Sequence, residues 1–407
     1  MKRSIIFFLI ITLSISVLHS QVKQDHSYCN RDFDIAKELF FENQYSVSYD
    51  YFQRVLQTPQ LEADVKAEAE YYIAANSYYL KRSDALDVLE TYLEKYPYTP
   101  MRSKVYYMVG RLYYDKKNYS ETLKKYGQVR QKQLDKSDVE DYLFSMGYSQ
   151  LMLKQYPAAS KTFKSIKEYG HPYTKDAEYY YAYSEFCQKN YKPSLESFIN
   201  IDESSKYYEA AQFHSLQIYD QIGYRSEAVK LGKELLSKYP KSKYKTEAYR
   251  ILGENSYHQQ NWDDVIIYLS KYANSEEKIQ RSDMYMLGIA YYMKQKYSNA
   301  IGSLGRVTTE QDSLSQNAYI FIGHSYLKLN QPSNARMAFQ NCSQQSFDKK
   351  LQEEALYNYA LATYESKAPF GETIKAFEKF IEKYPKSSHS DDILERMADA
   401  YISDKNY

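Results

Sequence analysis

Six pairs of side chains recur at matching positions of this chain, and their chemistry is that of recognition. They are Tyr107 and Arg111, Phe144 and Tyr148, Tyr179 and Tyr183, Arg250 and Glu254, Tyr285 and Ile289, and Ile320 and His324. The members of each pair are four residues apart, so on a helix they stand one above the other and form one exposed stripe. Aromatic rings and guanidinium groups bury much area at modest entropic cost, which suits them to a contact surface. Tyrosine equally suits a seam between helices, with its ring packed and its hydroxyl wet. Both roles stay open at each position. The stripe is aromatic toward the N-terminal half and more polar around Arg250 and Glu254.

Groups that could do covalent or metal chemistry are not arranged for it. There is no glycine-rich loop ending in Gly-Lys-Ser/Thr, no His-Glu-x-x-His run and no Gly-x-Ser-x-Gly elbow. The seven histidines are dispersed, and His258 and His324 read as surface or groove residues rather than metal ligands. The carboxylate pairs Asp263-Asp264 and Asp391-Asp392 fall near helix starts, where they favour the positive end of the helix dipole. No catalytic residue, metal or cofactor is expected.

The elements that must carry the stripe follow from a period of about 35 residues. Gly110, Gly147, Ala182, Gly253, Gly288, Gly323 and Ala360 fall into register, with Leu216 as a weaker match. Twelve residues on comes another small residue (Ala159, Ala300, Ala335), then a bulky one four further on (Phe163, Leu304, Phe339). Two antiparallel helices approach closely only where side chains are small, and bulky neighbours fill the adjacent grooves. Each hairpin leaves an apolar flank that the next must cover, so the expected fold is an all-α solenoid.

The expected helix pairs are 32–45 with 47–57, 61–80 with 83–96, 101–115 with 120–133, 137–154 with 156–169, and 173–189 with 192–201. The remainder are 207–222 with 225–239, 244–259 with 262–273, 278–294 with 297–307, 314–329 with 332–342, and 351–365 with 371–384. Apolar residues at three- and four-residue spacing support each one. Short polar links such as Lys116-Lys117-Asn118 and Gln259-Gln260-Asn261 join paired helices. Tyr96-Pro97, Tyr239-Pro240 and Tyr384-Pro385 end helices between pairs. Residues 386–402 resemble one more first helix, and the chain then stops. We read this as a partial terminal repeat, with the protein truncated or continuing beyond residue 407; the alternative is an unpaired helix that caps the array.

Composition narrows the partners. Lys and Arg number 53 against 52 Asp and Glu, which argues against a nucleic-acid binder and against electrostatic attachment to anionic lipid. Lys2 and Arg3 precede an apolar run from Ile5 to Val17, and Ser20 offers a small residue at a cut before Gln21. This reads as a secretory signal over residues 1–20, too short for a comfortable span. Residues 21–30 are polar and expected to be disordered, and no integral span should remain after signal cleavage. Cys29 lacks the sequence context of a lipidation site. Cys187 and Cys342 lie more than four repeats apart, so no disulfide within the chain is expected.

Together these residues resemble the tetratricopeptide repeat family, over nearly all of the chain from about Asp32, in about ten hairpins plus a partial one. The family's early tryptophan is replaced by Tyr106, Leu143, Tyr249, Met284 or Tyr319. The endings Leu93-Glu94-Lys95-Tyr96-Pro97, Leu236-Ser237-Lys238-Tyr239-Pro240 and Ile381-Glu382-Lys383-Tyr384-Pro385 resemble those of envelope members from Gram-negative bacteria. Those include outer-membrane-assembly lipoproteins and periplasmic Tol-Pal-associated proteins. The resemblance implies a right-handed superhelix whose concave face, lined by the stripe, binds a peptide or protein. The expected function is therefore a non-enzymatic scaffold of the cell envelope, periplasmic or outer-membrane-associated. The alternatives are a surface glycan- or nutrient-binding protein, the non-catalytic arm of a larger envelope protein, and a helical-array enzyme acting on cell-wall polymers.

Overall fold

The computed structural model describes residues 31–59, 61–167, 173–275 and 279–403, and every regular element among them is helical. The chain divides into two compact units, Met1–Ile201 and Asp202–Tyr407. In the first, α1 spans residues 31–41. It is followed by α2 (Tyr45–Leu56), α3 (Ala63–Tyr79), α4 (Ala85–Lys95), α5 (Arg102–Asp115), α6 (Tyr119–Tyr126), α7 (Lys136–Met152), α8 (Tyr156–Lys167), α9 (Thr174–Cys187) and α10 (Tyr191–Ile199). The second holds α11 (Tyr208–Gln221), α12 (Arg225–Lys238), α13 (Lys245–His258), α14 (Trp262–Ala273), α15 (Arg281–Met293), α16 (Tyr297–Gly305), α17 (Ser313–Lys328), α18 (Pro332–Ser343), α19 (Lys349–Glu365), α20 (Phe370–Lys383) and α21 (Ser390–Ser403). Each unit is thus a row of five hairpins, and α21 follows the last as an additional first helix. First helices of successive hairpins touch directly: α3 with α5, α5 with α7 and α7 with α9, then α11 with α13 and onward to α19.

The small residues of the repeat sit where two helices of one hairpin meet. A Cβ added to Gly110 would lie 2.3 Å from the Tyr126 ring, one on Gly253 2.4 Å from Leu269, and one on Gly323 2.4 Å from Phe339. Each partner is sixteen residues downstream, on the second helix of the same hairpin. Ala36 opens the series: it is fully buried, Ser48 twelve residues on donates to its carbonyl, and Phe52 sixteen on is fully buried. The weak match at Leu216 has a physical reason. Its position is fully buried, and the residue sixteen downstream is not bulky but Gly232, which packs against Leu252 of the next hairpin.

One residue in every hairpin turn adopts the left-handed conformation: Asn43, Lys81, Lys117, Lys154, Lys189, Gly223, Gln260, Gln295, Asn330 and Lys367. It closes a Schellman cap. At the third hairpin Asn118 N–H donates to the Tyr113 carbonyl and Lys117 N–H to that of Tyr114, which satisfies the last turn of α5. Between hairpins, Tyr96, Tyr239 and Tyr384 end helices α4, α12 and α20 with nearly the same dihedral angles, φ −125, −124 and −133°.

Three expected boundaries need correction, the first being the helix expected over 32–45, which ends at residue 41 so that Tyr45 opens α2. The helix expected over 120–133 ends at Tyr126, because the chain turns out of it to bury Leu134, and Ser103 Oγ takes the Arg130 N–H and donates to Gln133. The last helix starts at Ser390 rather than residue 386, after the turn that follows Pro385. The proposed signal, the segment 21–30, Cys29, the end of the helix expected to reach residue 169, the start expected at 278 and residues 404–407 lie outside the described residues. Of the described cysteines, Cys187 is half-buried, Cys342 is buried, and both are free.

Candidate partner-binding surface

First helices carry the aromatic residues in neighbouring pairs, such as Tyr71-Tyr72 and Tyr78-Tyr79 on α3 and Tyr106-Tyr107 and Tyr113-Tyr114 on α5. Adjacent residues on a helix diverge by roughly a quarter turn or more, so one ring of a pair packs within its hairpin while the other reaches along the row of first helices. In the first unit the second set packs α3 back onto the first hairpin and joins α5, α7 and α9 into a connected ladder. Tyr72 stacks on Phe52 with centroids 4.9 Å apart and meets Phe40 edge-on at 4.9 Å. Tyr79 stacks on Tyr45 at 4.6 Å. On α5, Tyr107 donates to Asp141 of α7 at 3.0 Å, and Arg111 pairs with the same carboxylate at 3.0 Å and with Asp115 at 2.8 Å. The Arg111 guanidinium also lies 4.7 Å from the Tyr114 ring centroid. Tyr148 of α7 contacts Tyr114 behind it at 5.9 Å and Tyr180 of α9 ahead at 5.3 Å. Phe144 stacks on Tyr173 at 4.8 Å, and Tyr179 on Tyr183 at 6.3 Å.

The electrostatics of this ladder follow from burial. Burial raises Tyr107, Tyr78 and Tyr114 well above the ordinary phenol value, and takes Tyr72 to about 12 with help from the Glu68 charge. These hydroxyls therefore stay protonated donors at neutral pH. Asp138, in the first turn of α7, is lifted by burial and then by Asp135 to about 6, against the opposing pull of Lys104. A cavity of about 60 Å³ opens beside it. The cavity takes Phe40 and Phe41 from α1, Tyr72 and Tyr79 from α3, Lys104 and Tyr107 from α5, and Asp138 from α7. A larger cleft of 510 Å³ lies at the α4–α5 link, around Tyr92, Lys95, Tyr96 and the 96% exposed Tyr98, and shares only Met101 with it.

In the second unit the same face is polar. Arg250 pairs with Glu247 at 2.8 Å and Glu254 at 2.7 Å, and Asn255 donates to Asp220 at 2.6 Å across neighbouring first helices. Asp283 is 1% exposed, its Oδ2 has no hydrogen-bond partner, and burial raises it to about 6 although Arg250 draws it back. Burial, then the Tyr257 charge, takes Tyr285 to about 12. His324 faces Glu354 at 3.5 Å; burial lowers its pKa, which Glu354 partly restores.

The stripe is less exposed than its spacing implies. Tyr107, Ile289 and Ile320 are buried, and Arg111, Phe144, Tyr148, Tyr179, Tyr183, Arg250, Glu254, Tyr285 and His324 are half-buried, because neighbouring first helices press the rings together. The structure joins the six residues of the first unit into one ladder and pairs Arg250 with Glu254, while Tyr285 and His324 stand in separate surroundings. Sequence reasoning missed Asp138, Asp141, Tyr72, Tyr79, Tyr114 and Tyr180. Extending the stripe one turn each way, to six before and four after the small residue, would have found Asp141 and Tyr114. The carboxylates near helix starts are engaged as structure: Asp264 pairs with Lys233 and accepts from Asn261, and Asp392 accepts from Tyr357 and Arg396. Among the described residues no helix is long and apolar enough to cross a membrane, and no group of three or more potential metal ligands occurs.

Comparison with known proteins agrees with this geometry. Residues 354–387 match the family model "Tetratricopeptide repeat". No curated protein matches the sequence. Among solved structures, the C-terminal part of a TPR repeat-containing protein from Cytophaga hutchinsonii is 16% identical with a TM-score of 0.43, covering 62% of this chain and 99% of that one. A tetratricopeptide repeat protein from Parabacteroides merdae is 16% identical with a TM-score of 0.34, covering 72% and 98%. PilW, described as a widely conserved type IV pilus biogenesis factor, is 15% identical with a TM-score of 0.32, covering 55% and 100%. The family match at 354–387 falls on α19 and α20, and the same two-helix unit with a small residue opposite a bulky one recurs ahead of it. The chain thus carries a tetratricopeptide repeat at residues 354–387, at the end of a row of similar helical hairpins.

Proposed function

We propose that this protein is a non-enzymatic scaffold of the bacterial cell envelope that binds a peptide or protein partner along its first helices. The observation that carries the reading is the ladder of rings and ion pairs that links α5, α7 and α9 in one unit. Such a surface is held rigid before a partner arrives, so little ordering entropy is lost on binding. Aromatic and arginine side chains supply the anchors. The envelope location is supported by Lys2-Arg3, the apolar run to Val17 and Ser20 before Gln21.

The test is in-cell cross-linking and affinity capture with the chain from Gln21 as bait. A discrete envelope protein is expected, and it should be lost when Tyr148, Tyr179 and Tyr183 become alanine while circular dichroism shows helicity retained. Retention of the bait on glycan with no protein captured would overturn the reading.

A further inference from the structure

We propose that the cavity between α1, α3, α5 and α7 is a receptor for the ammonium group of a lysine side chain presented by a protein partner. The proposal rests on the scaffold reading and names the chemistry of one anchor.

The walls and the charge both point to a cation. Phe40, Tyr72, Tyr79 and Tyr107 line a space of about 60 Å³, which suits a small head group and not a bulky side chain. Aromatic rings attract cations through their negative faces. These rings are already fixed by their neighbours: Tyr72 by Phe52 and Tyr79 by Tyr45. The charge at the edge is net negative, because two carboxylates, Asp135 and Asp138, stand beside the single ammonium of Lys104. Lys104 is held by Asp135 at 2.7 Å, so its ammonium is engaged. Among the described residues no side chain hydrogen-bonds to Asp138, whose carboxylate is drawn out of water beside the rings.

A half-buried carboxylate without a hydrogen-bonding side chain carries a desolvation cost, and an entering ammonium would relieve that cost while the rings replace its water. An apolar side chain would desolvate the carboxylate further, and an anion would be repelled. The chain provides an internal parallel. Lys37 places its ammonium 5.4 Å from the Phe33 ring centroid and 5.9 Å from that of Tyr72, and is neutralised by Glu68 at 2.9 Å.

The experiment titrates N-acetyl-lysine amide, N-acetyl-norleucine amide and N-acetyl-arginine amide against the chain from Gln21, read by ligand-observed NMR. Binding of the lysine amide alone is expected, with affinity about tenfold weaker in Asp138→Asn, the loss typical of a hydrogen bond to a charged group. The comparison of lysine with norleucine needs no variant, so it holds even if Asp138→Asn folds poorly. Equal binding of norleucine amide, arginine amide as tight as lysine amide, or undiminished binding in Asp138→Asn would each overturn the proposal. Failure of the lysine amide with partner capture intact removes this anchor and leaves the scaffold standing; loss of capture with lysine amide still bound does the reverse.

Discussion

The hydroxyl of Tyr107 donates to the carboxylate of Asp141 at 3.0 Å, from one first helix to the next, and Arg111 pairs with the same carboxylate. The bond joins two hairpins alongside that ion pair and the hydrogen bond between Tyr126 and Ser145. Tyr107 is 5% exposed, so the bond forms largely out of water. Tyr107→Phe should cost about 1.5–3 kcal/mol, as for a buried bond to a charged group. A double-mutant cycle with Asp141→Asn, measured by urea unfolding, should give a coupling of about 1 kcal/mol. Additive losses would mean that the two side chains act independently.

The small residues make a sharper test, because the same substitution should have opposite signs at two sites. Gly110→Ala drives a methyl group into the Tyr126 ring and should destabilise by about 1–3 kcal/mol. Gly302 lies within α16 and nothing stands within 4 Å of an added Cβ. Gly302→Ala should stabilise by about 0.5–1 kcal/mol, since glycine weakens a helix interior. Thermal unfolding of both variants beside the parent checks the pair.

Asp283 gives a pH signature. Its carboxyl binds a proton more tightly in the folded chain, at about 6, than at the ordinary value of 3.8. Folding therefore takes up a proton between these values, and stability from this residue falls as pH rises from about 4 to about 6. Asp283→Asn should remove that slope. The variant should be more stable than the parent at pH 7.5 by up to about 3 kcal/mol, with no gain near pH 4. Urea midpoints at the two pH values decide it, and a gain of equal size at both would refute the assignment.

The hairpin turns carry a further expectation. Lys117 holds φ at 58° and Gly223 holds it at 76°. Lys117→Gly should stabilise by about 1 kcal/mol, and Gly223→Ala should cost a similar amount, because side chains disfavour the left-handed region. Denaturant midpoints for each variant are the measurement.

Much of this architecture is legible in the chain because small and bulky residues alternate at fixed separations. Gly110, Gly253 and Gly323 announce their hairpins, and the partner sixteen residues downstream can be named in advance. Leu216 is harder to read, since its bulk is balanced by Gly232 and not by a repeat of the common pattern. The end of α6 was not legible, because Leu134 is buried through a turn that local periodicity does not encode. The binding face was legible only as positions. Spacing places Tyr107 on an outward stripe, but its burial depends on how closely α7 lies against α5, which is a property of neighbours. Asp138 was invisible for the same reason: it resembles any acidic residue at a helix start until the rings of three other helices close around it.

The volume complementarity described for the glycines also governs how such a chain can lengthen or shorten over evolution. Gly110, Gly147, Gly288 and Gly323 each fit a side chain within their own hairpin, so those hairpins can be duplicated or lost as intact cassettes. The sixth cannot travel alone. Gly232 is shaped for Leu252 of its successor, so the sixth and seventh hairpins form a single inherited block, and a recombination joint between them would leave a leucine without its niche.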